Sequence, residues 1–193
     1  MRKGFTLVET LVAIALFTIL VSIAAGGFTN ALHTQRQIAA LIAAQSNAGL
    51  ALEQVAREVR TGYLFCHDVP IPPDTVGNMT CNCTVSGSVW TCSDLNFMNS
   101  DGANVVYTTS ATGALTKSED GGVVAPITGD NVVLKYLTFT LFGNIEGDHW
   151  TPRITISMGV SPNTNDPALS SNVLDLQTTV SARSIDCGPL VGC

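Results

Sequence analysis

The apolar positions of this chain fall into three successive patterns. From Phe5 to Phe28 they run almost unbroken through 24 residues, with Glu9 as the only charged side chain among them. A helix rises 1.5 Å per residue and needs about 20 apolar residues to cross the hydrocarbon layer, so this run predicts one membrane span. After Gly26-Gly27 the chain turns polar, yet no proline interrupts it before Pro70. Here Ile38, Leu41, Ile42, Ala48, Leu52, Val55 and Val59 recur at three- and four-residue steps. Gln35, Arg36, Gln45, Glu53, Arg57 and Arg60 lie mostly elsewhere on the wheel. That period predicts an amphipathic half-helix over 29–61, ending at Thr61-Gly62 and packed by one face on a domain.

Beyond Gly62 the period changes. Pro70, Pro72, Pro73 and Gly77 mark a loop-rich stretch reaching to about Phe97. Strands are predicted at Asn104–Thr109, Val132–Phe142, Arg153–Val160 and Val173–Arg183, all rich in Val, Ile, Thr, Tyr and Phe. Ile154, Ile156, Met158 and Val160 alternate with Arg153, Thr155, Ser157 and Gly159, and Leu174, Leu176, Thr178, Val180 and Ala182 give a second stripe. The expected fold class is therefore α+β: a long N-terminal helix, with a membrane half over 5–28 and an amphipathic half over 29–61, packed on a C-terminal antiparallel sheet within 62–193.

Charge orients this plan and narrows its function. Arg2 and Lys3 precede the span, which keeps the N-terminus in the cytoplasm and sends the remainder across. The chain carries a net charge of -6, and without those two residues 7 basic side chains face 15 acidic ones. Broad nucleic-acid binding rests on neutralising phosphates, so no nucleic acid is expected as a partner. All six cysteines, at 66, 81, 83, 92, 187 and 193, follow the helical part, as in a domain that matures in an oxidising compartment.

Within CNCTVSGSVWTC, Gly87-Ser88 fits a two-residue type II′ turn. Counting outward pairs Ser86 with Val89, Val85 with Trp90, Thr84 with Thr91 and Cys83 with Cys92. The last pair falls at a non-hydrogen-bonded site, where Cα atoms stand about 4.5 Å apart and a cross-strand disulfide is reachable. Proximity joins Cys66 to Cys81 and Cys187 to Cys193, although six cysteines allow 15 connectivities. A rival reading takes Cys66, His67, Cys81, Cys83 and Cys92 as zinc ligands, but their spacing matches no common zinc module. The acidic loops at 118–122, 143–150 and 161–167 offer oxygens that calcium accepts, yet none has EF-hand spacing, and no cofactor or metal is expected. His33 and His149 read as surface residues, and Trp90 and Trp150 as core or exposed binding residues. No hydrolase, metalloprotease or phosphate-loop motif is present, so no catalytic residue is assigned.

Glu9 is the anomaly. A carboxylate at membrane depth costs about 2.5 to 3.5 kcal/mol on insertion scales, a penalty of roughly a hundredfold if nothing pairs with it. Its partner must come from another chain, or from a cation made in this one, such as a new amino terminus just before Phe5.

The segment KGFTLVETLVAIALF resembles the prepilin N-terminus of type IV pilins and of type II secretion pseudopilins: a short basic leader ending in Gly4, an aromatic Phe5, and a glutamate four residues on. The resemblance implies a structural subunit, not an enzyme. It implies that residues 1–4 are a leader, that a prepilin peptidase cuts between Gly4 and Phe5 and methylates Phe5, and that Glu9 pairs with the terminal amine of a neighbouring subunit. The implied partners are the peptidase, an inner-membrane platform protein and other subunits. The implied location is the inner membrane, with the C-terminal domain outside the cytoplasm, and then a filament. The half-helix LALEQVAREVRTG and the chain length look most like the J-type minor pseudopilins and related minor pilins. The major pseudopilin binds calcium, and pilins often close a C-terminal loop by a disulfide, which fits Cys187 with Cys193. The span lacks the helix-kinking proline of many major pilins, and the pseudopilin at the filament tip lacks the glutamate that this chain has. The contrasting expectation is an extracytoplasmic enzyme or metal-binding domain held by an unrelated anchor, or released by a signal-peptide cut at Ser22-Ile23-Ala24.

Overall fold

A computed structural model describes residues 4, 6–66, 79–144 and 150–183. The chain forms two compact units, Met1–Ala40 and Leu41–Cys193. Helix α1, Leu7–Thr61, runs for 55 residues. Among the described residues nine strands follow: β1 Cys83–Ser86, β2 Val89–Cys92, β3 Leu95–Met98, β4 Asn104–Thr109, β5 Leu115–Glu119, β6 Ala125–Pro126, β7 Val132–Phe142, β8 Arg153–Pro162 and β9 Leu174–Ser181. A one-turn helix, α2 Pro167–Ser170, lies between β8 and β9.

The fold is α+β, but its strands make two antiparallel sheets where a single sheet is expected from the sequence. One has the order β1-β2-β7-β8-β9 and the other β3-β4-β5-β6. Of the second sheet only β4 is predicted from the sequence, because β5 and β6 are poor in β-formers. β5 reads LTKSE and β6 is only Ala125-Pro126, so pairing with a neighbour holds them rather than local propensity. β3 likewise falls inside the stretch read as loop, and it is buried along its whole length.

The β1–β2 hairpin pairs Cys83 with Cys92, Thr84 with Thr91, Val85 with Trp90 and Ser86 with Val89. Gly87 has φ +62°, and among the described residues Ser88 has no positive φ, the combination a type II′ turn requires. On the five-stranded sheet the inward rows are apolar, with Ile154 between Leu141 and Val180, and Phe139 opposite Ile156. The outward rows are polar, and one sets Thr84, Thr91, Thr140, Thr155 and Thr179 side by side across all five strands.

The part of α1 in the second unit buries Ala44, Ala48, Ala51, Leu52, Val55 and Val59 in one core with both sheets. This stripe differs from the expected one at its start. Ile38 and Ile42 are 51% and 61% exposed. Small side chains do the packing there instead, because alanine lets the helix backbone come close to its neighbours. The helix exit is held by Arg183 N–H on the Arg60 carbonyl at 2.9 Å and by a two-way bridge between Tyr63 and Met98. Gly62 is required at this corner, since a Cβ there would lie 2.5 Å from the Phe97 ring.

Candidate functional site: the apolar N-terminal segment and its acid

Helix α1 begins with a cap. Thr6 precedes the first helical residue, and its Oγ1 accepts the Glu9 backbone N–H at 3.3 Å. Thr6 and Glu9 thus stand in the T-x-x-E spacing of a capping box, which places Glu9 in the first turn where the helix dipole favours a negative charge. The stretch T-L-V-E displays this spacing in the sequence itself.

Beyond the cap, the large apolar side chains from Leu7 to Phe28 are exposed. Among the described residues α1 is the one helix long and apolar enough to cross a membrane, and none of its most apolar 18-residue window is buried within the protein. Its hydroxyls are already satisfied by the helix itself. Thr10 donates to Leu7 O at 2.9 Å, Thr18 to Ala15 O at 2.9 Å, Ser22 to Thr18 O at 2.8 Å and Thr29 to Gly26 O at 2.9 Å. Such back-bonding removes the cost of carrying Ser and Thr in lipid. Glu9 has no equivalent: among the described residues its carboxylate meets no hydrogen-bond or ion-pair partner. Gly4 is exposed, and Phe5 lies outside the described residues.

The other candidates are distributed over the second unit. Cys83 is bridged to Cys92 and Cys66 to Cys81, while Cys187 and Cys193 lie outside the described residues. Four of the proposed zinc ligands are therefore disulfide sulfurs, and the fifth, His67, is outside the described residues. Of the acidic loops, Glu119 is engaged with Lys117, and Asp120 accepts the Asn104 N–H at 2.8 Å. Asp166 caps α2 through Ala168 N–H. The loop at 143–150 falls largely outside the described residues, His149 included. His33 is exposed. Trp90 is half-buried, and Trp150, 60% exposed, meets Phe142 edge-on at a centroid distance of 5.9 Å.

A polar cluster that the sequence reading missed ties α1 to the smaller sheet. Tyr107 and Lys117 are cross-strand partners on β4 and β5. Tyr107 donates to Glu58 Oε2 at 2.7 Å, and Lys117 Nζ lies 2.6 Å from Glu58 Oε1 and 2.6 Å from Glu119 Oε1. Burial, followed by the Glu58 carboxylate, pushes the Tyr107 hydroxyl well above its ordinary range. Burial alone would lower Lys117, but the Glu119 and Glu58 carboxylates outweigh it and raise it. The available signal was position: Glu58 sits directly before Val59 on the buried side of α1.

Residues 1–25 match a protein family described as the prokaryotic N-terminal methylation motif. No curated protein and no solved structure matches the chain. The match covers the residues expected to form the leader and the cut position, together with Glu9 and most of the apolar run. Together with the α+β architecture and the exposed apolar helix, it supports a type IV pilin-like or pseudopilin subunit in general. It fits a membrane-anchored structural protein, and it implies processing by a prepilin peptidase and assembly with other pilin subunits.

Proposed function

We propose that this chain is a minor pilin or pseudopilin that works by assembly into a type IV pilus or type II secretion pseudopilus. One observation carries the reading. Within a segment matching the methylation motif, Glu9 is the sole charge of the apolar run, and its carboxylate lacks a partner among the described residues. A membrane-embedded acid without an internal partner needs a cation from elsewhere. Cleavage between Gly4 and Phe5 creates one on every subunit, so the acid of one chain can meet the amine of the next as their helices bundle.

In this reading Arg2 and Lys3 hold the leader at the cytoplasmic face, where the peptidase acts, and the second unit lies outside the cytoplasm. The inner-membrane platform protein is the further partner. The half-helix LALEQVAREVRTG and the chain length favour the J-type minor branch, and the presence of Glu9 disfavours a tip subunit. Mass spectrometry of the N-terminal peptide tests the proposal. A chain beginning at methylated Phe5 is the expected result. An intact Met1 terminus, or a cut near Ala24, would overturn it in favour of a tethered or released domain.

A further inference from the structure

Among the described residues the two sheets end in the edge strands β1, β9, β3 and β6. Three of these edges are blunted. β1 has 4 residues, β6 has 2 with Pro126 as one of them, and β3, also 4 residues long, is buried along its whole length. β9 differs. Its 8 residues, LDLQTTVS, include no proline, lysine or arginine, and its pairing with β8 shows no bulge. Edges are normally protected by shortness, proline, charge or a bulge, and of these β9 has only the carboxylate of Asp175.

The register shows which backbone groups this edge leaves open. Ala182 N–H donates to the Pro152 carbonyl at 2.8 Å, and the pairing of β9 with β8 continues from there without a shift. In an antiparallel ladder every second residue turns both its N–H and its C=O to the partner. Counting back from Ala182, residues Val180, Thr178, Leu176 and Leu174 serve β8, while Ser181, Thr179, Gln177 and Asp175 direct theirs to the open side. Two contacts agree with this count. The Thr155 and Thr179 hydroxyls meet at 3.0 Å, as suits the closely spaced, non-hydrogen-bonded pairs of a ladder. Arg183, next in the open series, gives its N–H to the Arg60 carbonyl. The helix exit thus ends the open run, and over 175–181 its backbone groups have no partner among the described residues.

The side chains alternate in the same register. Asp175, Gln177, Thr179 and Ser181 are exposed, whereas Leu174 and Leu176 pack on the core yet stay half-buried. The core therefore reaches this rim with apolar surface that β9 alone does not cover. We infer that the open side of β9 takes up an extended segment of another chain as a sixth strand, antiparallel to β9 over positions 175–181. A row of unpaired N–H and C=O groups at strand spacing is matched by the backbone of another strand, and the side-chain rows set its pattern. Apolar residues belong opposite Leu176, Thr178 and Val180, where they extend the core. Polar ones belong opposite Gln177, Thr179 and Ser181, and a lysine or arginine opposite Asp175. None of this depends on a cut before Phe5.

The test uses the full chain in detergent and a synthetic peptide of seven residues, Thr and Val in alternation with Lys last, so that the lysine meets Asp175. Residue-resolved hydrogen exchange should find the amides of 175, 177, 179 and 181 open in the free chain and those of 176, 178 and 180 protected. The peptide should slow the open set roughly tenfold or more. N-methylation of its first, third, fifth and seventh residues, which face β9, should abolish that protection. N-methylation of its second, fourth and sixth, which face away, should leave it. Thr179→Pro removes an N–H that β8 does not use, so this variant should fold and lose the peptide; if it does not fold, the two methylated peptides decide. An open set already protected in the dilute free chain would mean that the chain covers its own edge. Protection that rises with protein concentration alone would make the occupant a second copy. Either result, or equal effects of the two methylated peptides, would overturn the inference.

Discussion

Glu58 and Lys117 stand 59 positions apart in the sequence and meet at 2.6 Å, joining α1 to the smaller sheet. Their side chains are only 26% and 16% exposed, so the pair is much less screened than a surface salt bridge. Tyr107 occupies the second oxygen of the same carboxylate. One glutamate thus receives a cation and a hydroxyl from two adjacent strands, which fixes both the rotation of the helix and its position along the sheet. Asn47 does similar work nearer the other end of the packed stripe. It accepts the Gly129 N–H at 3.0 Å and donates to Asn131 at 2.7 Å.

Alkaline destabilisation follows from this cluster. Lys117 and Tyr107 both titrate above their ordinary values in the folded chain, so the folded state keeps protons that the unfolded state has already released. Their contribution is complete below the unfolded values of about 10 to 10.5 and is lost as pH rises through the raised folded values. Tyr136, raised by its bond to Asp175, acts in the same sense. Buried Tyr107 adds up to about 1.4 kcal/mol of lost stability per pH unit. Guanidinium unfolding between pH 8 and 12 should show a falling midpoint above about pH 10. The decline should be shallower in Glu58→Gln, and an equal slope in the two proteins would count against the cluster as its source.

Gly159 is the second test. It lies between Tyr136 on β7 and Asp175 on β9 in one row of the sheet. The Tyr136 ring covers it and reaches Asp175 at 2.7 Å. A Cβ at 159 would lie 2.2 Å from Tyr136 Cε1 and 2.9 Å from Val173 Cγ1. Gly159→Ala should therefore expel the ring and cost about 1 to 3 kcal/mol, the range for overpacked sites. In a Tyr136→Ala background the same substitution should cost less than half as much. Urea unfolding of the four proteins in the cycle measures this, and an unchanged cost would mean that the ring is not what fills the space.

The parts of this fold legible in the sequence are those set by short-range rules. Gly87 fixes the hairpin turn, and the register out to Cys83 and Cys92 follows by counting. β4 and β7 coincide with the runs of Val, Thr, Tyr and Phe that mark them as strands. Rules of long range were not legible. Periodicity marks Ile38 and Ile42 as core-facing but cannot say where the domain stops covering the helix. The covered stripe starts at Ala44, whose small side chain gives a weak signal. β5 carries Lys117, Ser118 and Glu119 because one of its faces serves Glu58 and its partners, so composition hides it. At the candidate site the motif was plain, whereas the capping spacing of Thr6 and Glu9 went unread because the acid already stood out as a charge in lipid.

The T-x-x-E spacing sets a rival account of Glu9 beside the proposed pairing of subunits, and substitution separates the two. A full capping box would have the Glu9 side chain accept at the start of α1, a bond not made among the described residues, and glutamine would serve there nearly as well. As the partner of a neighbour's terminal amine, Glu9 must carry a charge, and glutamine fails as alanine does. Removing the acid also lowers the cost of entering the membrane, so neither substitution should reduce insertion. Losing a charge-assisted hydrogen bond costs about 1.5 to 3 kcal/mol, or roughly a tenfold to hundredfold fall in the association constant. Glu9→Gln and Glu9→Ala should therefore enter the membrane at the normal level and be recovered in sheared filaments at least tenfold less than the unsubstituted chain. If Glu9→Gln assembles normally while Glu9→Ala does not, the acid is a helix cap, and the pairing of subunits through it must be abandoned.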